Sequence, residues 1–209
     1  MAGTHFQYIF DKAESISISK DPVVAQTQSR DQTVKSVKRT DGRWRFEVTL
    51  PNGMPWTEVR PYLEGIDLMG MYRSGTVQIN NAGYNAWFTA YMGDSANSTG
   101  FVASATLANA NIILTSSPTT TSGYKFKAGD IIQLGTGGNV YTVTTNVAYN
   151  ENLVQLNRPV RDSSGSKNLN VGPNVTWNVI CTSKPTWTVF ARNQVSWSGP
   201  FIFYETLQE

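Results

Sequence analysis

Apolar and polar residues alternate along most of this chain with period two, in short runs separated by Gly, Pro, Asn and Asp. Successive strand side chains point to opposite faces, so the pattern predicts a β-rich fold. The cleanest run is 43–50, in which Trp44, Phe46, Val48 and Leu50 share one face. Residues 15–19 alternate Ser with Ile, and this strand is expected to end before Asp21-Pro22. Thr40-Asp41-Gly42 has tight-turn chemistry and predicts a hairpin joining residues 33–38 to 43–50.

The period changes once. Between Pro55 and Met71, Trp56, Val59, Tyr62, Leu63 and Ile66 recur at three- and four-residue spacing. That predicts one short helix, weakened by Pro61 and Gly65 and expected to be the only helix in the chain. Residues 124–134, 140–144, 152–156 and 176–181 then read as strands at close spacing, which describes a small barrel over residues 101–184. Gly135-Thr136-Gly137-Gly138-Asn139 lacks the Gly-Lys-Ser/Thr ending of a phosphate loop and precedes a strand, so it reads as a hairpin turn. The runs 187–190, 194–197 and 201–205 have nothing left downstream to pair with, so they must pair with the N-terminal part or with another molecule. The expected architecture is all-β: a β-sandwich from residues 1–100 and 185–209, with the barrel inserted into it.

Composition narrows the function. Only 15% of the 209 residues are charged, against about 25% in ordinary globular proteins, and 17 Lys and Arg against 15 Asp and Glu leave +2. From Tyr84 to Gly123 the sole charged residue is Asp94. Two readings stand for that segment: a pair of inner strands with a polar loop, or burial against neighbouring subunits, where interface cores are depleted of charge. The single His5 and single Cys181 exclude a zinc site of Cys and His ligands and a disulfide within the chain. Cys181 reads as a small buried hydrophobe. A Ser-His-Asp mechanism would have to recruit His5 from the chain end, so no catalytic, cofactor or metal site is expected. No apolar run is long enough for a membrane span, and residues 1–8 lack a signal-peptide pattern, which leads us to expect a protein made in the cytoplasm with no membrane partner.

The remaining candidate chemistry weighs lightly. Glu58, Glu64, Asp67, Asp94 and Asp130 are the carboxylates that a cell-wall hydrolase would draw on, but nothing brings two of them to one sugar ring, and Asp130 sits in a Gly-Asp turn that suits backbone capping. Residues 30–45 hold six cations and two carboxylates around Trp44 and Phe46. On a strand, however, Arg43 and Arg45 face away from those rings, which argues against stacking on nucleic acid. Trp56, Trp87, Trp187 and Trp197 lie near turns and strand ends, where they serve as core or interface anchors or, as an alternative, as a sugar-stacking surface.

Phe126-Lys127-Ala128-Gly129-Asp130-Ile131-Ile132-Gln133-Leu134, Asn157-Arg158-Pro159-Val160, Val171-Gly172-Pro173-Asn174-Val175-Thr176-Trp177 and Gln194-Val195-Ser196-Trp197-Ser198-Gly199-Pro200-Phe201 together resemble tail-tip and baseplate proteins of tailed bacteriophages, with a weaker echo at Tyr72-Arg73-Ser74-Gly75. The similarity is to the distal tail type. The resemblance implies a virion protein that forms a ring, hexameric in number, and joins the tail tube to the hub and baseplate. It implies no catalytic residue, no cofactor and no nucleic-acid partner. A host-surface glycan is the alternative ligand, through a receptor-adhesion module. A ring subunit completes itself with strands and neutral surfaces of its neighbours. The expected interface residues are therefore Tyr84, Trp87, Phe88 and Tyr91 in the charge-poor segment, and Trp187, Phe190, Trp197, Phe201, Phe203 and Tyr204 in the tail.

Overall fold

The computed structural model describes residues 2–28, 34–70, 72–79, 88–93, 99–118, 122–190 and 192–207, with the backbone alone described for 2–3, 21–28 and 34–41. In chain order the first elements are α1 (Ala2–Asp11), β1 (Ser15–Gln28), β2 (Val34–Thr49), β3 (Met54–Pro55), α2 (Trp56–Met69) and β4 (Ser74–Gln78). The middle of the chain forms β5 (Val102–Ala105), β6 (Asn111–Ser116), β7 (Tyr124–Phe126), β8 (Ile131–Leu134), β9 (Val140–Thr142), β10 (Val147–Ala148), β11 (Leu153–Gln155) and β12 (Gly165–Val171). It closes with β13 (Thr176–Ser183), β14 (Trp187–Phe190), β15 (Gln194–Trp197) and β16 (Phe201–Glu205). The fold is all-β, as the period-two pattern predicts.

An antiparallel sheet of order β1-β2-β16-β13-β4 is the base of the molecule. Its inner face carries Phe46, Val48, Trp177, Val179, Phe201 and Phe203, all buried. Helix α1 lies against this face: Phe10 meets both Phe46 and Phe203, and Phe6 meets Phe203 edge-on at 5.3 Å between centroids. This helix departs from the expectation that α2 would be alone. Phe6, Ile9, Phe10 and Ala13 follow the i, i+3, i+4, i+7 spacing of a buried helical stripe. That stripe holds the chain end in the core.

Three further expectations need correction. Residues 40–42 form no hairpin: β2 runs through them and pairs with β1 along its length, from Ser15↔Thr49 to Gln28↔Val34. The turn-like Thr40-Asp41-Gly42 lies instead at register shifts opposite Asp21 and Val23, where a bulge takes up the extra residues. Nor does β1 stop before Pro22. As the outermost strand it can lose a ladder donor there without leaving a partner unsatisfied.

The third correction concerns residues 176–181, expected to close the barrel. Strand β13 sits in the base sheet between β16 and β4, pairing Cys181 with Phe203 and Trp177 with Val77. Its alternating Trp177, Val179 and Cys181 belong to the aromatic core of that sheet. The chain therefore leaves the base sheet after β4, builds the barrel, and returns beside β4 as β13.

The barrel is a six-stranded sheet of order β11-β6-β5-β12-β8-β9, curled until its edges meet. A Val143–Leu156 bridge joins them, reinforced by Thr144 N–H to Gln155 O and Asn157 N–H to Thr142 O, each at 3.0 Å. Its interior is a separate cluster around Phe101, Phe126, Ile132, Tyr141 and Val171. The expected hairpin turn at 135–139 connects β8 to β9, with Gly135 and Gly137 at positive φ. Asp130 caps its own turn, accepting from Lys127 N–H at 2.7 Å and Met92 N–H at 2.8 Å. Burial raises its pKa, and those amides oppose the shift.

Candidate assembly surface

Barrel and base sheet meet through buried polar groups. Arg158, just after β11, gives Nη1 to Glu205 Oε2 at 2.9 Å and Nη2 to Oε1 at 2.7 Å, and Nη2 also donates to Val140 O at 2.6 Å. Arg158 is 1% exposed and Glu205 2%. Two parallel bonds fix direction as well as distance, so this pair sets how the barrel sits on β16. Lys20 of β1 completes the seam: its ammonium lies 3.9 Å from the Trp44 ring centroid and donates to Thr142 Oγ1 at 2.5 Å. Burial, seconded by the Arg158 charge, pushes the Lys20 pKa down to about 8, with Glu205 pulling the other way. Gln133, fully buried on β8, donates to Thr176 O at 2.7 Å and Gly138 O at 2.8 Å and so ties β8 to β13. Apart from Arg158 Nε, which is buried without a hydrogen-bond partner, the donors named here are engaged with protein, which suits the seam to holding two bodies in register.

The expected interface residues divide into four groups. Tyr84 and Trp87 lie outside the described residues. Phe201 and Phe203 are fully buried in the chain's own core, which removes them from any surface a partner could reach. Phe88 packs on Trp44 and Trp177, and Tyr91 packs on Phe101 and Phe126. These two half-buried rings bridge the sheet core and the barrel core. In the tail, Trp187 stacks on Trp56, Trp197 donates its indole N–H to Pro51 O at 3.2 Å, and Tyr204 lies under Arg45. Phe190 alone of the group is mostly open, at 57% exposure.

Phe190 belongs to β14, the outer strand of a small sheet of order β14-β15-β3. Thr188, Val189 and Phe190 are exposed, and Trp187-Thr188-Val189-Phe190 contains no Lys or Pro to block pairing. The edge at β4 is treated differently. There the Gln7 side chain of α1 donates to Gln78 O at 2.9 Å and accepts from Gln78 N–H at 2.8 Å, imitating a neighbouring strand. A second open feature is the far part of the β1–β2 ribbon. Strand β2 pairs with β16 at residues 45–48, so residues 23–28 and 34–40 pair with each other and, among the described residues, with no third strand. The exposed Leu68 and Tyr72 lie at the end of α2 and just beyond it.

The carboxylates considered for hydrolysis are occupied elsewhere. Glu58 takes Lys12 Nζ at 3.0 Å and Tyr8 OH at 3.1 Å, contacts that lower its pKa. Asp67 pairs with Lys184, and Glu64 lies beside Arg60 at 3.9 Å, while Asp94 is outside the described residues. Among the described residues no three His, Cys, Asp or Glu side chains gather as metal ligands. His5 packs its ring against Gly65, where a Cβ would come within 2.4 Å of it. Cys181 is buried, and burial pushes its thiol up to about 12, which makes it inert as a nucleophile at neutral pH. No helix among the described residues is long and apolar enough to cross a membrane. No protein-family model and no curated protein matches this chain.

Proposed function

We propose that this chain is a structural subunit of a phage tail tip, assembling as a homo-oligomeric ring whose base sheets form the ring wall and whose barrels stand outside it. The observation that carries this reading is the β1–β2 ribbon. A two-stranded ribbon is marginal in water unless a third strand or another body covers it, and among the described residues no third strand pairs with residues 23–28 and 34–40. The open β14 edge supports the same reading, because a strand edge without guards is a template for another chain. In a head-to-tail ring each subunit would offer the ribbon on one side and receive its neighbour's on the other. Six cations against two carboxylates give residues 30–45 a positive excess that suits a partner surface of opposite sign. The ring joins the tail tube to the hub and baseplate, and no step of catalysis is assigned to it.

Mass photometry of the intact chain tests the reading, with a closed ring, hexameric in number, as the expected result. Shortening the ribbon by replacing residues 24–38 with a two-residue turn is expected to leave a folded monomer. Purified virions are the second arm: peptides of this chain are expected in isolated tails, and their absence from the tails of an infectious particle would overturn the proposal.

A further inference from the structure

We infer that the cleft between the β8–β9 turn and residues 161–167 binds a saccharide bearing a phosphate or carboxylate. The cleft holds about 390 Å³, within the range of small-molecule sites. Its walls are Gly135, Thr136 and Gly138 on one side and Arg161, Asp162, Ser163 and Lys167 on the other, with Leu134 as the one apolar side chain. No aromatic ring lines it, so it offers nothing for a base or an aromatic ligand to stack on. Hydroxyls of Thr136 and Ser163 suit a hydroxyl-rich body.

The charges point to an anion. Asp162 is turned into the wall, accepting from Asn139 N–H at 2.9 Å through Oδ1 and from Tyr141 OH at 2.6 Å through Oδ2. Burial, aided by that carboxylate, pushes the Tyr141 pKa up, so its proton stays in place to hold Asp162. Neither Arg161 nor Lys167 pairs with Asp162 or with any other carboxylate among the described residues. Lys167 donates to Ser163 Oγ at 3.0 Å with its stem against Gly135. The Arg161 backbone N–H donates to Tyr141 OH at 2.9 Å, which anchors the residue while its guanidinium makes no described contact. Two cations thus line one polar cleft with no anion spent on either, and a guanidinium fork beside an ammonium suits an oxyanion.

The opposite wall is rigid. A Cβ on Gly138 would lie 2.2 Å from Leu134 O and 2.8 Å from Asp162 Oδ1. The Gly137 carbonyl is held by Asn178 Nδ2 at 3.1 Å and the Gly138 carbonyl by Gln133 Nε2. A preformed wall reduces the ordering cost that a ligand must overcome.

The test is calorimetric titration of the full chain with glucose 6-phosphate, glucuronate, glucose and inorganic phosphate. At least one charged sugar is expected to bind about tenfold or more tightly than glucose, as one charge-assisted contact warrants. The better of the two identifies phosphate or carboxylate as the recognised group. Arg161→Gln with Lys167→Gln is expected to lose that preference with an unchanged melting temperature, and Arg161→Lys to lose part of it. No binding of either charged sugar at millimolar concentration would overturn the inference, as would equal binding by the double variant. Inorganic phosphate binding as tightly as glucose 6-phosphate would overturn the saccharide assignment. The inference stands independently of ring assembly.

Discussion

Arg158 and Arg161 stand three residues apart on the connection between β11 and β12, yet one is sealed and the other open. Arg158 meets both Glu205 oxygens and a carbonyl inside the seam, whereas the Arg161 guanidinium faces a cleft with no carboxylate assigned to it. The same contrast separates the two sheet edges. Gln7 closes β4, and no strand among the described residues pairs with the outer edge of β14. Most polar groups turned inward are matched, because an unmatched buried charge or amide costs far more than a solvated one; His5 Nδ1, Arg45 Nε, Arg158 Nε and Trp177 Nε1 are the buried exceptions among the described residues. The Arg161 guanidinium and the β14 edge instead lie where a second molecule can reach them, and that accessibility marks them as binding surface.

The contrast can be broken by experiment. The largest expected effect is that of Glu205→Ala, which leaves the Arg158 guanidinium buried without its partner and should cost about 3–5 kcal/mol in urea unfolding. Replacing both Arg158 and Glu205 with Leu should cost clearly less than that single change. A loss below about 1 kcal/mol for Glu205→Ala would mean that water reaches the seam and that the two arginines do not differ. Next comes Gln7→Ala, which removes two hydrogen bonds from the β4 edge and is expected to cost about 1–3 kcal/mol.

The pH dependence is subtler. Folding holds Lys20 at about 8, below its ordinary 10.5, so between those values the unfolded chain binds more protons than the folded one. Stability from this group therefore rises as pH climbs from about 8 to 10.5, and Lys20→Met should flatten that rise in pH-dependent melts. The smallest effect on folding is expected from Val189→Ser with Phe190→Ser, within about 0.5 kcal/mol because both side chains are already solvated. Their consequence should appear only in the assembled mass. A melting temperature that falls sharply would place β14 among the closed elements instead.

Local chemistry was legible in the sequence, and long-range closure was not. The face formed by Trp44, Phe46, Val48 and Leu50, the 135–139 turn and the Asp130 cap each depend on neighbours a few residues away, and each could be read from spacing. Helix α1 carried a legible stripe at Phe6, Ile9, Phe10 and Ala13, obscured by the assumption that chain ends stay loose. The 40–42 bulge could not be told from a turn, since Asp-Gly serves both and only the partner strand decides. Nearness in sequence points β13 to the barrel, while its partners lie in β4 and β16. The cleft escaped for the same reason: its walls at 135–138 and 161–167 become neighbours only when the barrel curls.

Entry to and exit from the barrel fall on two adjacent strands, with Gln78 and Thr176 as register partners. A base sheet built this way has a port. The segment between those two residues can be lengthened, shortened or exchanged in evolution without shifting the register of β1, β2 or β16. The port carries one condition: Glu205 faces whatever is inserted, so any replacement module must either bring its own guanidinium to that carboxylate or arrive together with the loss of its charge.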